Sequence, residues 1–204
     1  MRVGDRLVRC FGVLTTMVVC MEVAVAGSAT YQYFRYTPTK LRNGASANSV
    51  QLSELQLYSG GTRISGAIAS NPGGNNPGNE GPERAVDGSR STKWLDFNQN
   101  PLVLNYGSAI TIDNYRWATA NDATERDPIR WTLEGSANGT TWTLIDDRSD
   151  ADQSVTTNRE AYLANMDLNQ IPDTPVVTFS VSAGGVTSDE AVGLQNGQSA
   201  LLDW

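Results

Sequence analysis

Histidine is missing from all 204 residues. Its absence removes the commonest general base, the partner that activates a serine nucleophile and the usual zinc ligand. Cysteine is almost missing: Cys10 and Cys20 both lie in an N-terminal apolar stretch, so the remainder has no disulfide framework to lean on. No cluster of Lys and Arg stands against a formal charge of −7 and a pI near 4.5. Nucleic acid is therefore excluded as a natural partner, because phosphate binding is dominated by such clusters. Long apolar runs are lacking as well. The stretch from Cys10 to Cys20 is short, interrupted and followed by Glu22, so no stable membrane span is expected. Chemistry by carboxylates alone stays open, but a glycosidase needs two of them at a defined separation across a cleft. No such pair is recognisable, and the chain is read as nonenzymatic.

What is present points to strands and turns. A hydrophobic content of 39% argues against disorder, and 19 Gly with 8 Pro, alternating apolar residues and Thr-rich runs favour an all-β domain. No amphipathic helix is legible beyond residue 30. Asn43-Gly44, Ser59-Gly60-Gly61, Asp87-Gly88, Gly107-Ser108 and Asn138-Gly139 are turn signals. Asn138-Gly139, between Trp131-Thr132-Leu133 and Trp142-Thr143-Leu144, predicts a hairpin, since both residues tolerate positive φ. It also spells a glycosylation sequon with Thr140. Asn71 to Gly78 is rich in Gly, Asn and Pro and predicts an exposed loop. At the N-terminus, Arg2, Arg6 and Arg9 precede the apolar run, and Ala24-Val25-Ala26 has the small-x-small form of a secretory cleavage site. That pattern predicts a signal peptide over 1–29 and a secreted, extracellular or cell-surface location.

Four motifs stand in order further on: Ala85-Val86-Asp87-Gly88, Thr92-Lys93-Trp94, the strand Pro101 to Gly107, and Ser136 to Trp142. In this order they resemble the discoidin, or coagulation factor V/VIII type C, group of galactose-binding-like domains. The group includes fucose-binding lectins and carbohydrate-binding modules. Tyr33-Phe34-Arg35-Tyr36 and Val50 to Tyr58 look like that family's closing strands, yet here they precede the Asp-Gly turn. The chain thus resembles a circular permutation, which a sandwich with adjacent, exposed ends tolerates. The resemblance covers about residues 30–170 and implies a jelly-roll β-sandwich.

It also implies sites. A structural Ca2+ would be held by Asp87, by the carbonyl of Arg84, by oxygens of Ser89 and Thr92, and by Ser53 and Glu54 closing the site. Hard oxygen ligands that include two carboxylates suit calcium. The plain alternative is an ordinary Asp-Gly turn beside a solvated strand glutamate. The loop from Ala120 to Pro128 is dense in planar polar groups between two apolar strands, and loops at a sandwich end carry recognition. The resemblance nominates Arg126 as a ligand-contacting residue, with Asn121, Asp122 and Asp127 as hydroxyl partners. A solvated loop with internal Arg–Asp pairs is the alternative. Trp94, Trp131, Trp142 and Trp204 are expected to face a core. Trp117 is less constrained and is read as available for stacking on a sugar.

After residue 170 the pattern restarts. Val176 to Val181 and Gly197-Gln198-Ser199-Ala200-Leu201-Leu202-Asp203-Trp204 resemble the first strands of a bacterial immunoglobulin-like repeat over 171–204. Two or three strands make no stable sandwich alone, so another segment or chain is expected to complete this unit. The resulting expectation is a calcium-supported, noncatalytic carbohydrate-binding or adhesion module that engages cell-surface or extracellular glycans. The alternative is a protomer of an extracellular filament, pairing with copies of itself through its N-terminal arm and incomplete C-terminal strands.

Overall fold

The computed structural model describes residues 27–169 in full and the backbone alone of 6–13 and 17–24. The immunoglobulin-like stretch with Trp204, the Ala24-Val25-Ala26 cleavage motif as a whole and the side chains of Cys10 and Cys20 lie outside the described residues. Of the two units into which the chain divides, one comprises Ser28–Ile171. The other includes an antiparallel ribbon of β1 (Arg6–Val13) and β2 (Met17–Ala24).

The Ser28–Ile171 unit is an all-β sandwich. Its larger sheet has five strands in the order β12-β11-β3-β9-β7, namely Thr143–Asp147, Pro128–Ser136, Ala29–Leu41, Leu102–Ile112 and Ile68–Ser70. Its smaller sheet runs β13-β10-β5-β6, namely Met166–Asp167, Asn114–Ala118, Glu54–Ser59 and Thr62–Ile64. A short pair, β4 (Val50–Leu52) with β8 (Trp94–Asp96), accompanies them. Among the described residues every strand pairing in this unit is antiparallel. The two early segments take interior places: β3 lies between β11 and β9, and β5 lies between β10 and β6.

Strand alternation explains which residues enter the core. Phe34 and Tyr36 of β3, Leu55 and Leu57 of β5, Tyr115 and Trp117 of β10, and Trp131 and Leu133 of β11 alternate with polar neighbours and are buried. They join one apolar cluster with Leu102, Leu104, Ile112 and Ile145. Trp117 and Trp131 meet edge to face with ring centroids 5.7 Å apart, a favourable arrangement of their quadrupoles. Trp117 is fully buried. The expectation of an exposed, sugar-stacking Trp117 is therefore corrected: its inward register on β10 commits the indole to the core. Trp94 and Trp131 are core residues as expected. Trp142 is not, because it sits in the turn just before β12, half-buried, with the Arg35 guanidinium 4.3 Å from its ring centre.

The hairpin β11–β12 forms about the Asn138-Gly139 turn, where Gly139 alone takes positive φ, at +73°. Asn138 accepts from the backbone N–H of Thr140 and Thr141 at 2.9 Å each, closing the turn with its side chain. Gly135 has a different reason to be glycine. A Cβ there would come within 2.1 Å of the Tyr31 ring, which lies across this strand.

One polar chain crosses the apolar interior. Trp131 Nε1 donates to the Tyr115 hydroxyl at 2.6 Å, and that hydroxyl donates to Asp146 Oδ2 at 2.5 Å. Arg148 Nε donates to the same carboxylate oxygen at 2.9 Å, and the Asn169 backbone N–H reaches Asp146 Oδ1 at 3.1 Å. Burial, then the Asp146 charge, raises the Tyr115 phenol well above its ordinary pKa, so it stays a donor. Tyr115→Phe leaves Trp131 Nε1 and Asp146 without their shared partner. The expected loss is about 2 kcal/mol in equilibrium urea unfolding, from the cost of stranding buried polar atoms. A change within about 0.5 kcal/mol, the range of an ordinary surface substitution, would contradict this account.

Candidate functional site

Glu54 opens β5, pointing away from the core that Leu55 enters, and is completely enclosed. Its Oε1 accepts the Gly88 backbone N–H at 2.6 Å, and its Oε2 accepts from Gln56 Nε2 and Arg63 Nη2, each at 3.1 Å. An early strand is thereby tied to the Asp87-Gly88 turn 34 residues later. Gly88 holds φ at +85°, a conformation for which glycine has no steric penalty. Asp87 braces the same turn: Oδ1 accepts the Ser89 N–H at 2.8 Å, and Oδ2 accepts the Thr92 hydroxyl at 2.8 Å and Arg84 Nη1 at 3.4 Å. Ser89 and Ser91 join hydroxyls at 2.9 Å. Ser53 lies beside Glu54 in sequence, but its buried hydroxyl donates to the Thr119 carbonyl at 2.9 Å, on the far side of the strand from the Glu54 carboxylate.

Glu54, Asp87, Arg84, Ser89 and Thr92 are thus brought together. Their oxygens are hard donors. Among the described residues no group of three or more His, Cys, Asp or Glu stands together, so a cation here would rest on two carboxylates and neutral oxygens. Burial raises the Glu54 pKa, against the opposing hydrogen bonds from Gln56 and Gly88 and the Arg63 charge.

The loop after β10 lies against this turn. Asp122 accepts from Lys93 Nζ at 2.6 Å, and Lys93 is itself buried, 5% exposed. The Asp122 carboxyl is held below its ordinary pKa: burial acts against the shift, and the Lys93 hydrogen bond and charge outweigh it. Gln51 Nε2 donates to the carbonyls of Asp122 and Ala123, at 2.7 and 3.0 Å. Asn121 is exposed and reaches the Ser91 carbonyl at 3.4 Å. Arg126 Nε donates to Asn48 Oδ1 at 3.1 Å from a partly exposed position.

Asp127 departs from expectation. Its carboxylate is fully enclosed, gripped by Arg159 through both oxygens, at 2.9 and 2.5 Å, with Arg42 Nη2 at 3.4 Å. It is an internal brace, and its assignment as a ligand contact is corrected for that reason. Arg42 and Arg159, distant in sequence, gave no local signal of this role. Asn121, Asp122 and Arg126 form the accessible polar rim.

Comparison with protein-family models, with curated proteins and with solved structures finds no match for this chain.

The raised Glu54 pKa has a pH consequence. The folded state holds this proton to a higher pH than the unfolded chain, so the contribution to stability is complete below about 4.3, the ordinary glutamate value. It is lost as pH rises through the raised folded value. Glu54→Gln is expected to flatten stability against pH over that window when urea midpoints are measured at stepped pH. An unchanged slope would count against a buried, proton-retaining Glu54.

Proposed function

We propose that the chain is a secreted, noncatalytic carbohydrate-binding or adhesion module of discoidin type, permuted in strand order, with a structural calcium and a glycan-facing rim. The observation that carries this reading is the contact between Glu54 and the Gly88 N–H. A permuted domain must return its early Ser-Glu strand to the Asp-Gly turn, and this is the pair that meets.

The rim supplies chemistry suited to sugar hydroxyls. Arg126 offers N–H donors on a rigid planar fork, Asp122 accepts, and Asn121 does both. The internal brackets from Gln51, Lys93 and Arg159 hold the loop in one shape, which lowers the ordering cost of binding. Calcium bound by Asp87 and Glu54, with oxygens of Thr92, Ser89 and Arg84, would stiffen the neighbouring turn and reverse the usual pKa logic of a buried carboxylate.

Two measurements test the two halves. On a glycan array, binding to terminal galactose- or fucose-like glycans is expected, and Arg126→Ala is expected to reduce it by about tenfold or more, the loss of a charge-assisted contact. No signal above a denatured control would refute the rim reading. Calcium is expected to raise the Tm and EGTA to lower it, because a ligand that binds only the folded state stabilises it by mass action. Equal Tm with calcium and with EGTA would remove the metal and leave the rim untouched.

A further inference from the structure

We infer a second binding site, separate from the rim, in a cleft of about 460 Å³ on the outer face of the five-stranded sheet. It takes the ring of a neutral hexopyranose glycan. Its lining includes Tyr33, Arg35, Pro72, Pro101, Val103 and Trp142. The volume lies within the range of small-molecule sites.

The cleft follows from strand register. Tyr33 and Arg35 of β3 alternate with buried Phe34 and Tyr36, so they point outward. Val103 of β9 is the partner of Arg35 on one side, and Glu134 of β11 is its partner on the other. Arg35 Nε and Nη2 donate to the two Glu134 oxygens at 2.6 and 2.7 Å, a bidentate pair. Trp142 then lies over the guanidinium at 4.3 Å. The floor is thus flat and pinned, and the indole is oriented by a cation that is itself oriented by a carboxylate.

The opposite wall is built as firmly. Asp96 is fully buried and accepts three backbone N–H groups, from Asn75 at 2.6 Å, Asn98 at 3.1 Å and Asn100 at 2.7 Å. Asn100 Nδ2 donates to the Gly73 carbonyl at 2.6 Å, and Asn71 Nδ2 donates to the Pro101 carbonyl at 3.0 Å. Pro72 and Pro101 are therefore held in place before any ligand arrives. The sequence suggested only an exposed loop here.

The chemistry of the lining selects the occupant. Its one charged side chain, Arg35, is neutralised by Glu134, so a phosphate or carboxylate ligand gains no free cation. Aromatic, proline and valine surfaces match the C–H face of a pyranose. The hydroxyls of Tyr33 and Ser70 make no hydrogen bond among the described residues and are free to meet sugar hydroxyls. A proline-rich peptide also suits aromatic grooves, but it brings backbone acceptors with few donors, whereas the Tyr33 and Ser70 hydroxyls in the lining accept as well as donate and favour a ligand that does both.

The test is titration of the full chain with cellohexaose, with a β-1,4-galactan hexasaccharide and with a polyproline decapeptide, followed by the Trp142 indole N–H signal in two-dimensional NMR. A saccharide is expected to shift that signal, and Trp142→Ala, assayed by calorimetry, is expected to weaken binding about thirtyfold, as for a central aromatic anchor. Ser70→Trp supports the test if Trp142→Ala fails to fold, since it plugs the cleft from an exposed edge-strand position and is expected to block binding. The Trp142 signal reports on the cleft and the glycan array with Arg126→Ala on the rim, so failure of the rim and failure of the cleft are read separately. The site is overturned if no saccharide moves the Trp142 signal, if Ser70→Trp binds as well as the parent, or if only the polyproline peptide binds.

Discussion

The hydroxyl of Tyr115 is where the sandwich is fastened. It receives the Trp131 indole N–H and donates to Asp146, joining β10 of the smaller sheet to β11 and β12 of the larger. Between the sheets the apolar side chains attract without direction, and any of several packings would bury similar area. A satisfied polar chain in a low-dielectric interior admits one arrangement, because each alternative strands a donor or a charge. Trp117 packs edge to face on the indole that this chain orients. The fully described unit has no cysteine to do the same work.

A second buried carboxylate organises the rim. Glu54 costs desolvation, visible in its raised pKa, and three groups offset part of that cost: the Gly88 N–H, the Gln56 amide and the Arg63 guanidinium. Asp127 repeats the principle with Arg159 and Arg42. In each case an acid that reads in sequence as a surface or ligand residue is an internal tie between distant segments. The accessible chemistry falls to neighbours such as Asn121, Asp122 and Arg126, and to Trp142 on the sheet face.

Some of this was legible from the chain. Alternation in Tyr33-Phe34-Arg35-Tyr36 and in Glu54 to Tyr58, with glycine at the turns, is enough to require strands, because period-two patterning survives whatever the strands pair with. The hairpin at Gly139 was legible for the same local reason. Trp117 and Asp127 were misread because each depends on what stands opposite. An indole between Arg116 and Ala118 is locally unconstrained until Trp131 meets it, and an aspartate in a polar loop looks solvated until two distant arginines close on it. The cleft left almost no signal: Pro72, Val103 and Trp142 are far apart along the chain, and only sheet register collects them.

The sequence by itself determined the strand-rich class, the turns and the exclusion of histidine-based chemistry, since composition and short-range periodicity act within a few residues. Tertiary structure alone decided which polar side chains are buried ties and which are exposed. Burial and hydrogen-bond partnership are set by strand order and register, and these are properties of contacts between residues tens of positions apart. The meeting of Glu54 with Gly88 shows the division. The strand and the turn are each written locally, and their contact exists only once the fold lays that turn against β5.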